Sequence, residues 1–214
     1  MATFLHVGCG TKHKNATTPG FNTENWNECR LDIDPRVKPD VVSSITHMQQ
    51  LSDTCMDAIF SSHNLEHLHA YEVPLALREF VRVLKDDGFL VLTCPDIQTV
   101  AEWIAQDKLL EPAYNSPAGP ITPLDMVFGL QQAIANGNHY MAHRCGFTQK
   151  VLTAHLKHAG FESVLTARRR RAFDLWTIAS KYAYSEDQLR DMASQHFPAQ
   201  INVRKTAVRP PAGS

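Results

Sequence analysis

Leu5-His6-Val7-Gly8-Cys9-Gly10 runs from an apolar stretch directly into two glycines two positions apart. Thr3–Val7 reads as a strand, and glycines at a strand's carboxyl end let the backbone turn sharply and approach a ligand closely. In an open parallel sheet that edge is where ligands bind. Alone, a G-x-G is as well read as an ordinary turn. Asp32 strengthens it: it closes a second apolar run, 22 positions beyond Gly10, and can accept hydrogen bonds from both hydroxyls of a ribose.

Outward from this stretch, short apolar runs alternate with helical patterns, the signature of βαβ units. Arg30–Ile33, Asp40–Val42 and Met56–Ser61 read as further strands. Val73, Leu77, Phe80, Val81 and Leu84 share one face of a helix over Glu72–Leu84. Asp86-Asp87-Gly88 reads as the turn that ends it, before the continuous apolar strand Phe89–Cys94 and a second helix, Ile97–Lys108. Residues 109–142 change character: four prolines break the first part, and Asp125–Ala135 reads as one helix. Thr148 is a good N-cap for a helix through His158, with Gly160 at its end. Phe161–Ala167 and Ala172–Lys181 read as strands around Arg168–Arg171. A last helix near Ser185–Gln195 leads into a Pro-rich tail expected to fray.

The 214 residues suffice for one well-buried domain, not two. Hydrophobic residues at 43% and charged residues at 20% exclude a disordered or low-complexity chain. No apolar run reaches the ~18 residues of a membrane span, and no signal peptide is read at the start. A formal net charge of -1 argues against bulk capture of nucleic acid. The 5 cysteines contain no C-x-x-C pair, so they read as reduced, buried residues of a cytoplasmic protein.

The glycine loop suits a nucleoside cofactor without phosphates. A dinucleotide fold wants a third glycine and a helix N-terminus at the pyrophosphate, but Thr11-Lys12-His13-Lys14 follows and Pro19-Gly20 interrupts any long helix. The segments Leu5–Gly10, Leu31–Asp34, Met56–Leu68 (Met-Asp-Ala-Ile-Phe-Ser-Ser-His-Asn-Leu-Glu-His-Leu) and Phe80–Gly88 occur in the order and spacing of a known family. Together they resemble the class I S-adenosylmethionine-dependent methyltransferases, specifically the small type 11 group, as do Gly146-Phe147-Thr148 and Ala159-Gly160-Phe161. The resemblance covers about Thr3–Lys181. It implies an α/β, Rossmann-like seven-stranded methyltransferase sheet in the order 3-2-1-4-5-7-6, last strand antiparallel, with helices on both faces. Residues 1–181 would form the methyltransferase domain, with 109–142 a lid-like insertion, and 182–214 a carboxyl-terminal helix and tail.

The resemblance further implies S-adenosylmethionine as cofactor, with Gly8, Cys9 and Gly10 under its methionine and ribose and Asp32 on the ribose hydroxyls. Asp34, on the same strand face, competes for that role. Ile33, Ser44 and Ile45 would lie toward the adenine, and Ser62 and His63 at the methionine end. The chain departs from the pattern at His6 (normally acidic), Lys12 (normally glycine) and Ser44 (normally aspartate). These departures keep a catalytically silent S-adenosylmethionine-binding or partner-binding module as the alternative to a methyltransferase of small-molecule oxygen, nitrogen or carbon acceptors.

Methyl transfer from a sulfonium needs alignment and exclusion of water, and a base only where the acceptor loses a proton. Histidine is the default base near neutrality, and His63 and His143 are the candidates; His67 reads equally as a structural hydrogen bond or cap, and His139, like His143, either faces the acceptor or is a solvent-facing loop residue. A metal site from His63, His67 and His69 is set aside, since only two of these share a helical face, and no metal is assigned. Cys94 reads as packing. Arg168-Arg169-Arg170-Arg171 would favour an RNA substrate, but a turn with solvated charges is the better reading. Trp26, Phe128, Tyr140 and Phe147 are candidate acceptor-pocket residues, each more readily placed in the core. The oligomeric state is not legible.

Overall fold

The computed structural model describes residues 1–201, and the tail expected to fray falls outside them. The strands are β1 (Ala2–Val7), β2 (Trp26–Asp32), β3 (Val41–Val42), β4 (Met56–Ser62), β5 (Leu84–Pro95), β6 (Tyr114–Ser116), β7 (Gly119–Ile121), β8 (Ser163–Arg169) and β9 (Asp174–Ser180). Seven form one sheet in the order β3-β2-β1-β4-β5-β9-β8, while β6 and β7 pair separately. With that ribbon set aside, this is the expected 3-2-1-4-5-7-6 sheet. β9 runs antiparallel to β5 and β8, and the other neighbours are parallel.

Period-two alternation divides the apolar strands between two faces. Leu5, Val7, Ile59, Leu90 and Leu92 point into one core, shared with Leu77 and Phe80 of α1 (Val73–Val83) and Leu152 and Leu156 of α5 (Gln149–Ala159). Phe4, Ala58, Phe60, Val91 and Ile178 point into the other, with Phe21 and with Leu189 and Ala193 of α6 (Glu186–His196). Each fully buried side chain of this size contributes roughly 1.5–3 kcal/mol. Central strands therefore read as unbroken hydrophobic runs because both faces are covered. Thr148 and Gly160 cap α5 as its sequence requires: the threonine hydroxyl accepts the Val151 N–H, and the glycine takes φ +112.

Four local expectations are corrected. Asp86-Asp87-Gly88 is no free turn: α1 passes straight into β5, and the irregularity is absorbed as a register shift between Met56 and Ala58. α2 (Ile97–Ile104) stops short of Lys108. The single helix expected over 125–135 is two, α3 (Pro123–Phe128) and α4 (Gln131–Ala135). Gly129 separates them at φ +93, in a crossing so close that a Cβ there would lie 2.0 Å from the Met141 carbonyl oxygen. The proline-broken stretch before them holds the β6–β7 ribbon, which with α3 packs on α2 through Val100, Ile121, Met126 and Phe173.

α6 is fastened to the second core by His196. Its Nδ1 is 2.7 Å from the Thr18 hydroxyl, and its ring lies 4.4 Å from that of Phe21. Gly20 makes room, since a Cβ there would fall 2.6 Å from the imidazole. Burial lowers the His196 pKa to about 4. The unfolded chain, with an ordinary histidine pKa of ~6.5, therefore takes up a proton first as pH falls. Stability from this group is complete above pH ~6.5 and is lost as pH drops toward 4, by a total on the order of 3 kcal/mol. Urea denaturation between pH 7 and pH 4 should show this loss, and His196→Asn should flatten it; parallel profiles for the two proteins would refute the assignment.

Candidate active site

The loop after β1 is built on two left-handed residues, Gly8 (φ +58) and Gly10 (φ +53). At Gly8 a side chain is also barred by contact, because a Cβ would land 1.7 Å from Oδ1 of Asn64. Asn64 is anchored there by donating from Nδ2 to the Val7 carbonyl at 2.9 Å and the Ser62 carbonyl at 3.2 Å. Gly10 is held at both polar groups from β2. Its N–H donates to Oδ2 of Asp32 at 2.8 Å, and its carbonyl accepts from Nη2 of Arg30 at 2.6 Å. Arg30 also donates to the carbonyls of Lys12 and Lys38, joining the glycine loop to the turn after β2.

Asp32 lies at the carboxyl edge of the sheet, its Oδ1 accepting the Asp34 N–H at 2.9 Å. Asp34 is engaged otherwise: Arg36 donates to both its oxygens, and this pairing holds its carboxyl below the usual range. Cys9 is buried, with its thiol pushed up to about 11 by burial. Ile33 is exposed, Ile45 is buried, and the Ser44 hydroxyl lies 2.8 Å from that of Thr46. His6, where the pattern wants an acid, is buried and sits 2.7 Å from Oε1 of Glu28. Glu28 Oε2 accepts the Lys14 N–H at 2.9 Å. A carboxylate from β2 thus sits against the side chain of His6 on β1.

Across the crevice, β4 ends at Ser62, whose hydroxyl is 2.9 Å from that of Thr93. His63 follows in the left-handed region (φ +54), its N–H donating to the Thr93 carbonyl at 2.9 Å. Such a conformation costs a residue with a Cβ about 1–2 kcal/mol. The imidazole is crowded by neighbours yet 47% exposed at the crevice mouth, with Nδ1 3.1 Å from Oε1 of Glu66. Desolvation works to lower the His63 pKa, but the Glu66 carboxylate outweighs it and the net shift is upward. Glu66 is fully buried; desolvation raises its pKa, the His63 imidazole lowers it, and the net direction is down. His67 and His143 face the same carboxylate, their rings 4.9 Å apart. Burial lowers the His143 pKa.

The remaining candidates disperse. His69 stacks on Tyr71, away from Glu66, so the His63, His67, His69 trio does not assemble. Trp26 packs edge-on against Phe4, Phe21 and Phe89, and Phe147 is buried in the first core, while Phe128 and Tyr140 are exposed. The four aromatic residues form no common pocket. Cys94 is buried, its thiol raised well above its ordinary pKa. The arginine run is a solvated turn only in part: Arg168 and Arg169 belong to β8, while Arg170 and Arg171 lie exposed in the turn that follows. Arg168 pairs with buried Asp96 at 2.7 Å, Arg169 with Asp174 and Arg170 with Glu102. Asn64, Arg30, Glu28 and Glu66 escaped the sequence reading, although Asn64 and Glu66 stand inside the quoted Met56–Leu68 segment.

Residues 5–92 match the family described as a methyltransferase domain. Its fold is the class I methyltransferase fold. Similar solved structures include a protein from Pyrococcus horikoshii, with TM-score 0.56 and 12% identity, covering 83% of this chain and 81% of that one. Another is a Methanosarcina mazei S-adenosylmethionine-dependent methyltransferase, with TM-score 0.52 and 15% identity over 83% and 92% of the two chains. A third, the Burkholderia thailandensis 1,6-didemethyltoxoflavin-N1-methyltransferase, was solved with 1,6-didemethyltoxoflavin and S-adenosylhomocysteine. It has TM-score 0.51 and 16% identity, over 83% and 70% of the chains. No curated protein sequence matches this chain significantly.

The two glycines of the loop after β1 should respond differently to substitution. Gly8→Ala and Gly10→Ala each incur about 1–2 kcal/mol from a left-handed Cβ, but nothing lies within 4 Å of the Gly10 position. Gly8→Ala should therefore lower the urea midpoint further, and Asn64→Ala in the same chain should restore part of the difference. Equal losses at the two glycines would show that Asn64 does not press on Gly8.

Proposed function

We propose that this methyltransferase domain transfers a methyl group from S-adenosylmethionine to a small-molecule oxygen, nitrogen or carbon acceptor. The observation that carries the reading is the clamp of Asp32 and Arg30 on Gly10 at the carboxyl edge of the parallel strands. It presents a carboxylate with lone pairs to spare beside Gly10, which has no side chain. The group fits: Asp32 takes the ribose hydroxyls, Gly8, Cys9 and Gly10 lie beneath the methionine and ribose, and Ile33, Ser44 and Ile45 flank the adenine. Ser62 and His63 border the methionine end. Bound there, the sulfonium supplies a methyl carbon already activated for in-line displacement.

The protein's part is to orient the acceptor and keep water out. Residues 109–142 serve as the lid that sets acceptor choice. His63, at the mouth beside Glu66, receives a proton from an acceptor that must lose one. His143 has its Nδ1 engaged by the Met126 carbonyl at 2.9 Å and belongs to the group around Glu66 rather than acting as a free base. A small acceptor suits the charge distribution, since Arg168, Arg169 and Arg170 are paired with carboxylates of this chain.

Calorimetry with S-adenosylmethionine and S-adenosylhomocysteine tests the reading, and both should bind. Asp32→Ala should weaken binding by roughly 1.5–3 kcal/mol, the worth of charge-assisted hydrogen bonds, while Asp34→Ala should leave affinity unchanged. Failure of both ligands to bind at millimolar concentration refutes the reading, and loss of affinity in Asp34→Ala alone moves the ribose to that residue. In a separate filter assay RNA should not be retained. Salt-sensitive retention would favour an RNA acceptor instead.

A further inference from the structure

The unexplained feature of the crevice is a buried negative charge without a donor. Glu66 has no solvent exposure, and neither carboxylate oxygen has a hydrogen-bond partner. His63 approaches to 3.1 Å but is not aligned as a hydrogen bond. Leaving such a group unsatisfied costs several kcal/mol, and a native structure that keeps one generally has an ion, a water or a function there.

Two histidines sharpen the point. His67 Nδ1 lies 3.2 Å from the Ala142 carbonyl, and His143 Nδ1 lies 2.9 Å from the Met126 carbonyl. A carbonyl can only accept, so Nδ1 carries the proton in both rings. In the neutral imidazoles each Nε2 is then a lone pair. A ring nitrogen of each histidine and a carboxylate oxygen of Glu66 converge, these atoms lying within 4.8 Å of one another. An imidazole whose other nitrogen donates to a backbone carbonyl is the usual arrangement of a metal-binding histidine.

From this we infer that Glu66, His67 and His143 form a binding site for a divalent first-row transition-metal ion of the zinc or iron(II) type. Two imidazoles and one carboxylate select such ions over magnesium or calcium, which prefer all-oxygen shells. Ligand bonds of about 2.1 Å in tetrahedral geometry need ligand atoms roughly 3.4 Å apart, so occupancy requires an inward shift of about 1 Å. The backbone is already stitched for it: the Glu66 carbonyl accepts the N–H groups of Arg144 at 2.7 Å and Cys145 at 3.3 Å, and His143 N–H donates to the Phe128 carbonyl at 3.2 Å. Three protein ligands leave at least one position open. Resting on the methyltransferase reading, that position faces His63 and takes an oxygen of the acceptor, making the site a selector for acceptors with a metal-binding oxygen.

Tag-free full-length protein, dialysed against chelator and then freed of it, is titrated with Co2+ and followed by visible absorption. One equivalent should produce the intense band of a low-coordinate Co2+ ion, and Zn2+ should displace it and raise the melting temperature, whereas Mg2+ should do neither. His67→Ala and His143→Ala should each weaken Co2+ binding more than about 100-fold, beyond the 10–100-fold typical of an outer-shell loss. His69→Ala, outside the cluster, should bind as the parent does. Circular dichroism establishes that the variants fold, and His143→Gln serves if the alanine variant does not. Absence of the band in the parent, or its persistence in both cluster variants, overturns the proposal. S-adenosylmethionine calorimetry on the same samples separates the two readings: cofactor binding without Co2+ binding removes the metal site and leaves the methyltransferase standing.

Discussion

Gly10 has both its polar backbone groups taken by β2: Asp32 accepts its N–H and Arg30 donates to its carbonyl. Residues 30 and 32 lie two apart on one strand, so their side chains leave the same face and grip the loop like a fork. The parallel register of β1 and β2, His6 against Arg30 and Val7 against Leu31, delivers them to that position. A loop with two left-handed glycines has many conformations to lose. The fork removes that freedom before any ligand arrives. It also leaves Asp32 only partly used, each oxygen accepting one backbone N–H and keeping capacity for hydroxyl donors.

The same register accounts for what was legible in the sequence and what was not. Gly8, Gly10 and Asp32 announce themselves because each is placed by a local rule, a glycine at a strand's end or an acid closing a strand. Arg30 and Glu28 act through their pairing with positions 10 and 6, and no local spacing rule predicts which residues of two parallel strands become neighbours. His6 looked like a defect for that reason, until Glu28 of β2 set a carboxylate against it. The insertion failed differently. Helical periodicity continues through Gly129, and only the close crossing of Met141 over that glycine breaks it. The arginine run misled because four like charges suggest solvent, whereas Asp96, Asp174 and Glu102 arrive from elsewhere in the chain.

Charge is managed by the same economy on both sides of the crevice. On the glycine side each buried charged group is matched: Asp32 by backbone N–H groups, Arg30 by carbonyls, His6 by Glu28. At the end of β5, Asp96 receives Arg168, the Thr99 hydroxyl and the Gln98 N–H. Glu66 alone among these is held by proximity to imidazoles instead of hydrogen bonds. Fold stability does not call for it, since a buried carboxylate is costlier than an apolar residue of similar size. A position kept at that cost belongs to function.

Glu66 also joins the two segments that must cooperate if the lid selects the acceptor. Its side chain meets His63 at the crevice mouth, while its backbone carbonyl accepts from Arg144 and Cys145 at the lid's exit. His143, on that exit segment, reaches back through Nδ1 and its N–H to carbonyls of α3. Movement of α3 therefore displaces the imidazole that faces Glu66, and any ligand drawing Glu66, His67 and His143 together pulls on α3 in return. Coupling of this kind runs through named hydrogen bonds rather than proximity in space. Were residues 109–142 to close when the Glu66 cluster is occupied, linkage would require each event to favour the other by the same free energy.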